Sequence, residues 1–269
     1  MKKLFLGSVA LVAMLGGPAA FAADMPLRAP APVIVATWTG CYVGLSIGTA
    51  NGKAKTEYGA NTLTFPGTAN PIPAGTQATS DINLSGMIGG GQVGCNYQVG
   101  AWVFGIEGDW SVTNKDGQEF ETLFAPAFRL QVTESWVATA RARLGYAVTD
   151  KWLWYVTGGG AWARVRDSNF GCVVAPPAIA GACLTAAVPT AQENNVVSGW
   201  SAGLGTEYML GYGWSIKSEY LYVQFSRSSY FNSTTPVALS AIDTKVNDHI
   251  FRFGMNYKYG WVGGPVVAR

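Results

Sequence analysis

Glu107 and Asp109 are two residues apart, as are Arg141 and Arg143, and these pairs are the side chains in the chain best spaced for chemistry. Two carboxylates on one face can divide the work of a general acid and a general base, which is the arrangement hydrolases use. A second set, Glu207, Lys217, Glu219 and Arg252, has the same character. The single histidine, His249, follows Asp248, so an Asp-His pair or a haemin contact is a further option. No nucleophile stands securely beside it, as a rim enzyme would need. The four cysteines, Cys41, Cys95, Cys172 and Cys183, match no zinc spacing. No catalytic residue, metal or cofactor is therefore assigned.

A spacing of two is the period of a β-strand, in which alternate side chains share a face. Glu107 and Asp109 lie opposite Trp102, Phe104, Ile106 and Trp110, while Arg141 and Arg143 lie opposite Trp136, Ala138, Ala140, Ala142 and Leu144. With the intervening loop centred near residue 124, Glu107 pairs across from Arg141, and Arg143 is its diagonal neighbour. Charges facing a narrow interior are most simply a compensated network, because an unpaired buried charge is very costly. Glu207, Lys217, Glu219 and Arg252 occupy the inward faces of the last three strands by the same reasoning.

The elements that must hold these residues alternate along the whole chain. Trp38 to Ala50 sets Cys41, Val43, Leu45 and Ile47 against Tyr42, Gly44, Ser46 and Gly48. Similar segments follow at Ile82 to Tyr97, Ala101 to Ser111, Leu130 to Ala147, Trp152 to Val165, Val196 to Tyr208, Trp214 to Phe225 and Val246 to Tyr259. Eight strands of this length suit a tilted membrane span. Connections near 98–100, 148–150 and 209–213 are tight, whereas 51–81, 112–129, 166–195 and 226–245 are long. Strict alternation of short and long connections is the pattern of an outer-membrane barrel rather than a soluble sandwich.

The N-terminus agrees. Lys2 and Lys3 precede an apolar stretch from Leu4 to Leu15, and Ala20-Phe21-Ala22 offers a cleavage site, so residues 1–22 are expected to be a signal peptide. Residues 23–37, rich in Pro and Ala, are expected to be a flexible periplasmic lead-in, and 38–269 the outer-membrane β-barrel domain. Cleavage removes two of the 18 Lys and Arg and leaves 16 against 16 Asp and Glu, so the mature chain is near neutral. That balance gives no reason to expect nucleic acid. The composition is 49% hydrophobic with 13% charged, yet no mature segment supplies 18 consecutive apolar residues. A closed barrel is the remaining way to span lipid, since lipid cannot satisfy free backbone groups. The fold class expected is all-β: a closed antiparallel eight-stranded transmembrane β-barrel with short periplasmic turns and long extracellular loops.

The order and spacing of several motifs carry a resemblance. Trp38-Thr39-Gly40-Cys41-Tyr42-Val43-Gly44, Gly89-Gly90-Gly91-Gln92-Val93-Gly94, Gly105-Ile106-Glu107-Gly108-Asp109, Arg141-Ala142-Arg143-Leu144-Gly145-Tyr146, Lys217-Ser218-Glu219-Tyr220-Leu221-Tyr222 and Phe251 to Lys258 resemble the RopB-type small outer-membrane proteins. The resemblance implies an OmpA-like eight-stranded barrel with exposed loops and an envelope-structural role. Porin-like naming is common in that family, and haemin binding is attributed to some relatives. Two departures stand out: Cys41 replaces the usual aromatic, and Gly260 to Arg269 continue past the last strand.

An eight-stranded barrel is only wide enough for its own side chains, so a general diffusion pore is not expected. Trp102, Trp110, Trp136, Trp152, Trp162, Trp200, Trp214, Tyr146, Tyr208, Tyr220, Tyr257 and Tyr259 are expected in aromatic girdles. An oxidising compartment favours disulfides, Cys172 with Cys183 inside one loop and Cys41 with Cys95 across adjacent strands. The function expected is structural: envelope integrity and surface display, with a small porin-like channel or a surface haemin or ligand binder as the alternative. The partners expected are outer-membrane lipids, lipopolysaccharide and the barrel-assembly machinery, with an external ligand or host surface left unidentified.

Overall fold

The computed structural model describes residues 37–59, 73–120, 122, 128–171, 188–231 and 241–259. The expected signal peptide, most of the lead-in, the Cys172–Cys183 pair and the final ten residues lie outside this set. Among the described residues there are nine strands: β1 (Gly40–Tyr58), β2 (Ile82–Val99), β3 (Trp102–Phe120), β4 (Phe128–Thr149), β5 (Trp152–Gly171), β6 (Val188–Gly211), β7 (Trp214–Phe225), β8 (Ser228–Tyr230) and β9 (Ile242–Tyr259). All pairings between them are antiparallel. Each of β1 to β7 pairs with the next, β7 pairs with β9, and β9 pairs back onto β1, so eight strands close a ring. The three-residue β8 adds only to the outer end of β9.

Closure gives each of these eight strands a neighbour on both sides, and each then has one face turned into the ring and one turned out. Inward side chains are even-numbered on β1, β2 and β9 and odd-numbered on β3, β5, β6 and β7. On β4 the parity switches. Val137, Thr139, Arg141 and Arg143 point inward, but so do Leu130, Val132 and Glu134. The register shift between Glu134 and Trp136 supplies the extra residue that makes both sets possible.

At one end the strands are joined tightly, with only two residues between β2 and β3, between β4 and β5 and between β6 and β7. Tyr212 and Gly213, between β6 and β7, both have positive φ (51° and 84°), as a two-residue type I′ connection requires. At the other end the strands run further than the sequence pattern indicates. β1 continues to Tyr58 instead of Ala50, β3 to Phe120 instead of Ser111, β5 to Gly171, and β6 begins at Val188. Part of each stretch expected as a long loop is therefore strand.

The reason is a reversal of pattern. Near the tight turns the outward residues are apolar and the inward ones polar, whereas beyond about Thr49 on β1 the outward residues are Asn51, Lys53 and Lys55 and the inward ones Ala50, Ala54 and Tyr58. A reading tuned to apolar-outside alternation stops where the pattern inverts. At about 3.3 Å per residue, an 18-residue strand is roughly twice as long as the 9–11 residues needed to cross a bilayer.

Candidate functional site

All eight charged residues singled out above converge in the ring's interior, and what the sequence suggests as two sets is one network. Glu107 on β3 faces Arg141 on β4 directly in the register. The Arg141 guanidinium reaches Glu107 Oε1 at 2.6 Å, Asp109 Oδ2 at 3.0 Å and Glu219 Oε1 at 3.2 Å. Lys217 Nζ donates to both oxygens of Glu107 at 2.9 Å. Arg252 bridges Asp109 at 2.9 Å and Glu219 at 2.6 Å. Arg143 passes its diagonal neighbour, 3.8 Å from Glu107, and pairs instead with Glu207 on β6. Four carboxylates meet four cations, so the cluster is neutral in sum.

Neutral partners complete it. Thr139 donates to Asp109, Ser215 Oγ donates to Glu207 at 2.6 Å, and Asn256 Nδ2 donates to Glu207 at 2.8 Å. Tyr42 donates to Glu107 at 2.6 Å and accepts from Arg143 at 2.8 Å, while Tyr155 donates to Glu219 at 3.0 Å. The Arg143 guanidinium lies 3.7 Å from the Tyr155 ring centroid, a cation–π contact that also fixes the plane of its fork. The two tyrosines need space. A Cβ on Gly94 would come within 2.5 Å of the Tyr42 ring, and one on Gly205 within 2.5 Å of the Tyr155 ring. Each glycine is the recess in the neighbouring strand into which its tyrosine folds.

Apolar clusters flank the network on both sides. Trp38, Val103, Leu153 and Tyr155 close it toward the tight turns. Toward the other end lies a larger cluster that includes Ile82, Leu84, Leu130, Val132, Leu221, Val223, Phe225, Ile242 and Ile250. The acid and base pairs that invited a hydrolase reading are thus paired with each other and buried, at 4% exposure or less for seven of the eight and 8% for Asp109.

The outward face is the complement. From Trp102 through Phe104, Ile106 and Trp110 to Val112, β3 exposes one apolar side chain after another, each between 50% and 67% accessible. Aromatic pairs ring the end with the tight turns: Trp102 with Tyr146, Trp152 with Tyr208 and Trp214 with Tyr257, at centroid distances of 5.3, 6.0 and 5.0 Å. A second set, Trp200, Tyr220, Tyr222 and Phe251, marks the far margin. A recess of about 620 Å³ lined by Leu45, Ile47, Ile216, Phe253 and Met255 opens on this outer wall. Proteins in water do not leave an apolar belt of this extent uncovered.

A family model described as the outer membrane protein beta-barrel domain matches residues 8–259. The chain belongs to that family. It is 31% identical over 266 residues to the 31 kDa outer-membrane immunogenic protein of Brucella melitensis, covering 96% of this chain and 100% of the relative. It is 27% identical over 269 residues to the 25 kDa outer-membrane immunogenic protein of the same organism, covering 96% and 99%. Among solved structures, OprG from Pseudomonas aeruginosa is similar at 11% identity with a TM-score of 0.47, covering 82% of this chain and 97% of that one. The protein is located in the Gram-negative outer membrane.

Seen as a member of the outer-membrane barrel family, the chain shows features that its sequence pattern did not reveal. Lys115, Glu134 and Asp248 form a second, wholly buried cluster inside the apolar layer, with Lys115 Nζ 3.0 Å from Glu134 and 2.6 Å from Asp248. Strand parity continued from Arg141 would put Glu134 on the outside, and only the shift near Ser135 brings it in. The disulfide expected between Cys41 and Cys95 is present, the two cysteines facing each other across β1 and β2. His249 lies at the outer aromatic margin. It points outward from β9, hydrogen-bonded to Tyr220 Oη at 2.7 Å and packed against the Tyr222 ring. Among the described residues no group of three His, Cys, Asp or Glu is placed to hold a metal ion.

Proposed function

We propose that the chain is a closed eight-stranded transmembrane barrel of the RopB type that serves the envelope as a structural element and surface scaffold, with no catalytic role. The observation that carries this reading is the neutral eight-residue network sealed between two apolar layers. It fills the interior where a porin would keep water, and it commits the acids and bases that an enzyme would need free. The tight turns belong on the periplasmic side and the long connections outside, where they display residues to the surroundings. His249 belongs to the wall's outer aromatic margin, a place for contact with lipid headgroups more than for haemin.

A deletion strain tests the role. Loss of the protein is expected to raise sensitivity to detergents and bulky antibiotics, with rescue by the native chain. Unchanged sensitivity, together with a measured hydrolytic activity of the purified protein, would overturn the reading. Heat-dependent gel mobility of the detergent-extracted protein tests the barrel itself: a folded barrel migrates differently before and after boiling.

A further inference from the structure

Unlike the network in the membrane half, the cluster in the outer half does not balance. Lys115 brings one positive charge to two carboxylates, Glu134 and Asp248, and all three side chains are fully buried. Outside the triad, none of the four carboxylate oxygens accepts a hydrogen bond among the described residues. The shell around them is apolar and includes Leu84, Leu130, Val132, Val223 and Ile250. Fully ionised, the triad would hold one uncompensated negative charge in that shell, which is very costly.

No neighbour among the described residues supplies the missing cation. At this level β1, β2 and β7 turn no charged side chain inward, and Lys53, Lys55, Asp116, Arg164, Arg166 and Lys245 point outward. Arg129 is on the face of β4 opposite to Glu134 and lies against the Phe170 ring. Arg252, two inward positions from Asp248 toward the membrane half, is held by Asp109 and Glu219. The other inward charges of the outer half are acids. Asp167 follows Val165, which faces Glu134 in the register; Glu193 stands opposite Asp167 on β6, and Glu119 lies near the end of β3.

We propose that Lys115, Glu134 and Asp248 form a proton-binding latch that ties β3 and β4 to β9 across the interior. With one proton retained by the two carboxylates the triad is neutral; opening of the outer half hydrates the carboxylates and releases that proton. Glu134 is the holder, because Asp248 lies closer to the ammonium, at 2.6 against 3.0 Å. The triad lies beyond Trp136 and His249, on the outer side of the aromatic margin. Burial lifts the Glu134 carboxyl to about 8, with Asp248 adding to the rise and Lys115 opposing it. Burial also lifts Asp167 to about 7 against a hydrogen bond from Thr244, with Glu193 adding to the rise. A carboxyl raised in the closed state keeps its proton at pH values where an open, hydrated one has lost it. Closure is therefore firmest in acid, weakens by about tenfold per pH unit above the ordinary glutamate value of 4.5, and levels off above about 8. The outer extensions of β3, β4 and β9 are held in acid and loosened toward alkaline pH.

The test is hydrogen exchange of the detergent-extracted full chain from about pH 5 to about pH 9, corrected for the intrinsic pH dependence of exchange. In the native protein, protection of the outer amides of β3, β4 and β9 is expected to fall at least about a hundredfold between about pH 5 and 8 and then level off. Amides around Glu107 and Arg141 should not follow. Asp167→Asn, which removes the second raised carboxyl, should keep the fall, and Asp167→Asn/Glu134→Gln should abolish it. The heat-dependent mobility shift is recorded for every variant, so that loss of the barrel and loss of the latch are told apart. Protection in the native chain that does not change across this range, or a double variant that falls as steeply as Asp167→Asn, would overturn the proposal. Because the native profile is itself decisive, an answer is obtained even from a variant that fails to fold.

Discussion

The two halves of this barrel solve opposite problems with the same strands. Between the aromatic margins the wall is apolar outside and the interior holds charges; beyond the outer margin the wall carries lysine, arginine and asparagine, and the interior holds Ile82, Leu84, Leu130, Val132 and Phe225. The outer half is built like a protein in water, the membrane half inside out. Lipid explains the difference: outward apolar groups gain nothing there from leaving water, so the core is free to be polar provided every charge finds a partner. The hydrophobic effect returns where the wall meets water, and the interior becomes apolar again.

The contrast is sharpest where it can be broken. Arg141→Ala removes one cation from three carboxylates and leaves the network with an excess negative charge in a sealed interior. A loss of about 3–5 kcal/mol is expected, read as a lower denaturant midpoint for loss of the heat-shifted form. Combining it with Glu107→Gln should return part of that loss, since the excess charge goes with it.

In the outer half, Leu130→Ala should cost about 2–5 kcal/mol by the same measurement, as deletion of a fully buried aliphatic side chain does. Its effect should not change when ionic strength or pH is varied. Tyr42→Phe removes one hydroxyl that both donates to Glu107 and accepts from Arg143, and a loss of about 1–3 kcal/mol is expected. An outward change within the belt, Val93→Leu, should be nearly neutral, because lipid replaces the contacts on that side.

Much of the membrane half was legible because a period of two, applied to Glu107, Asp109, Arg141 and Arg143, assigns faces without knowledge of partners. The Glu107–Arg141 pairing followed from placing the centre of one loop. What the spacing could not give was contact across the interior: Arg143 with Glu207, and Arg252 with Asp109, join residues brought together only by ring closure. Tyr42 was visible on the small and polar face of its strand, but neither it nor Tyr155 was readable as a partner of the network, although glycines on the adjacent strands were a clue. The outer half was less legible. There the pattern inverts, so strand continuations were read as loops, and one extra residue near Ser135 moves Glu134 from the outward face that unbroken parity would give it to a buried contact with Lys115.

The measurement that bears most directly on the central claim is single-channel recording of the purified, heat-shifted native protein in planar bilayers. A sealed, charge-compensated interior predicts the absence of steady, large conductance steps, with openings appearing once Arg141 or Arg143 is replaced by alanine. Steady large steps from the native protein would contradict the account.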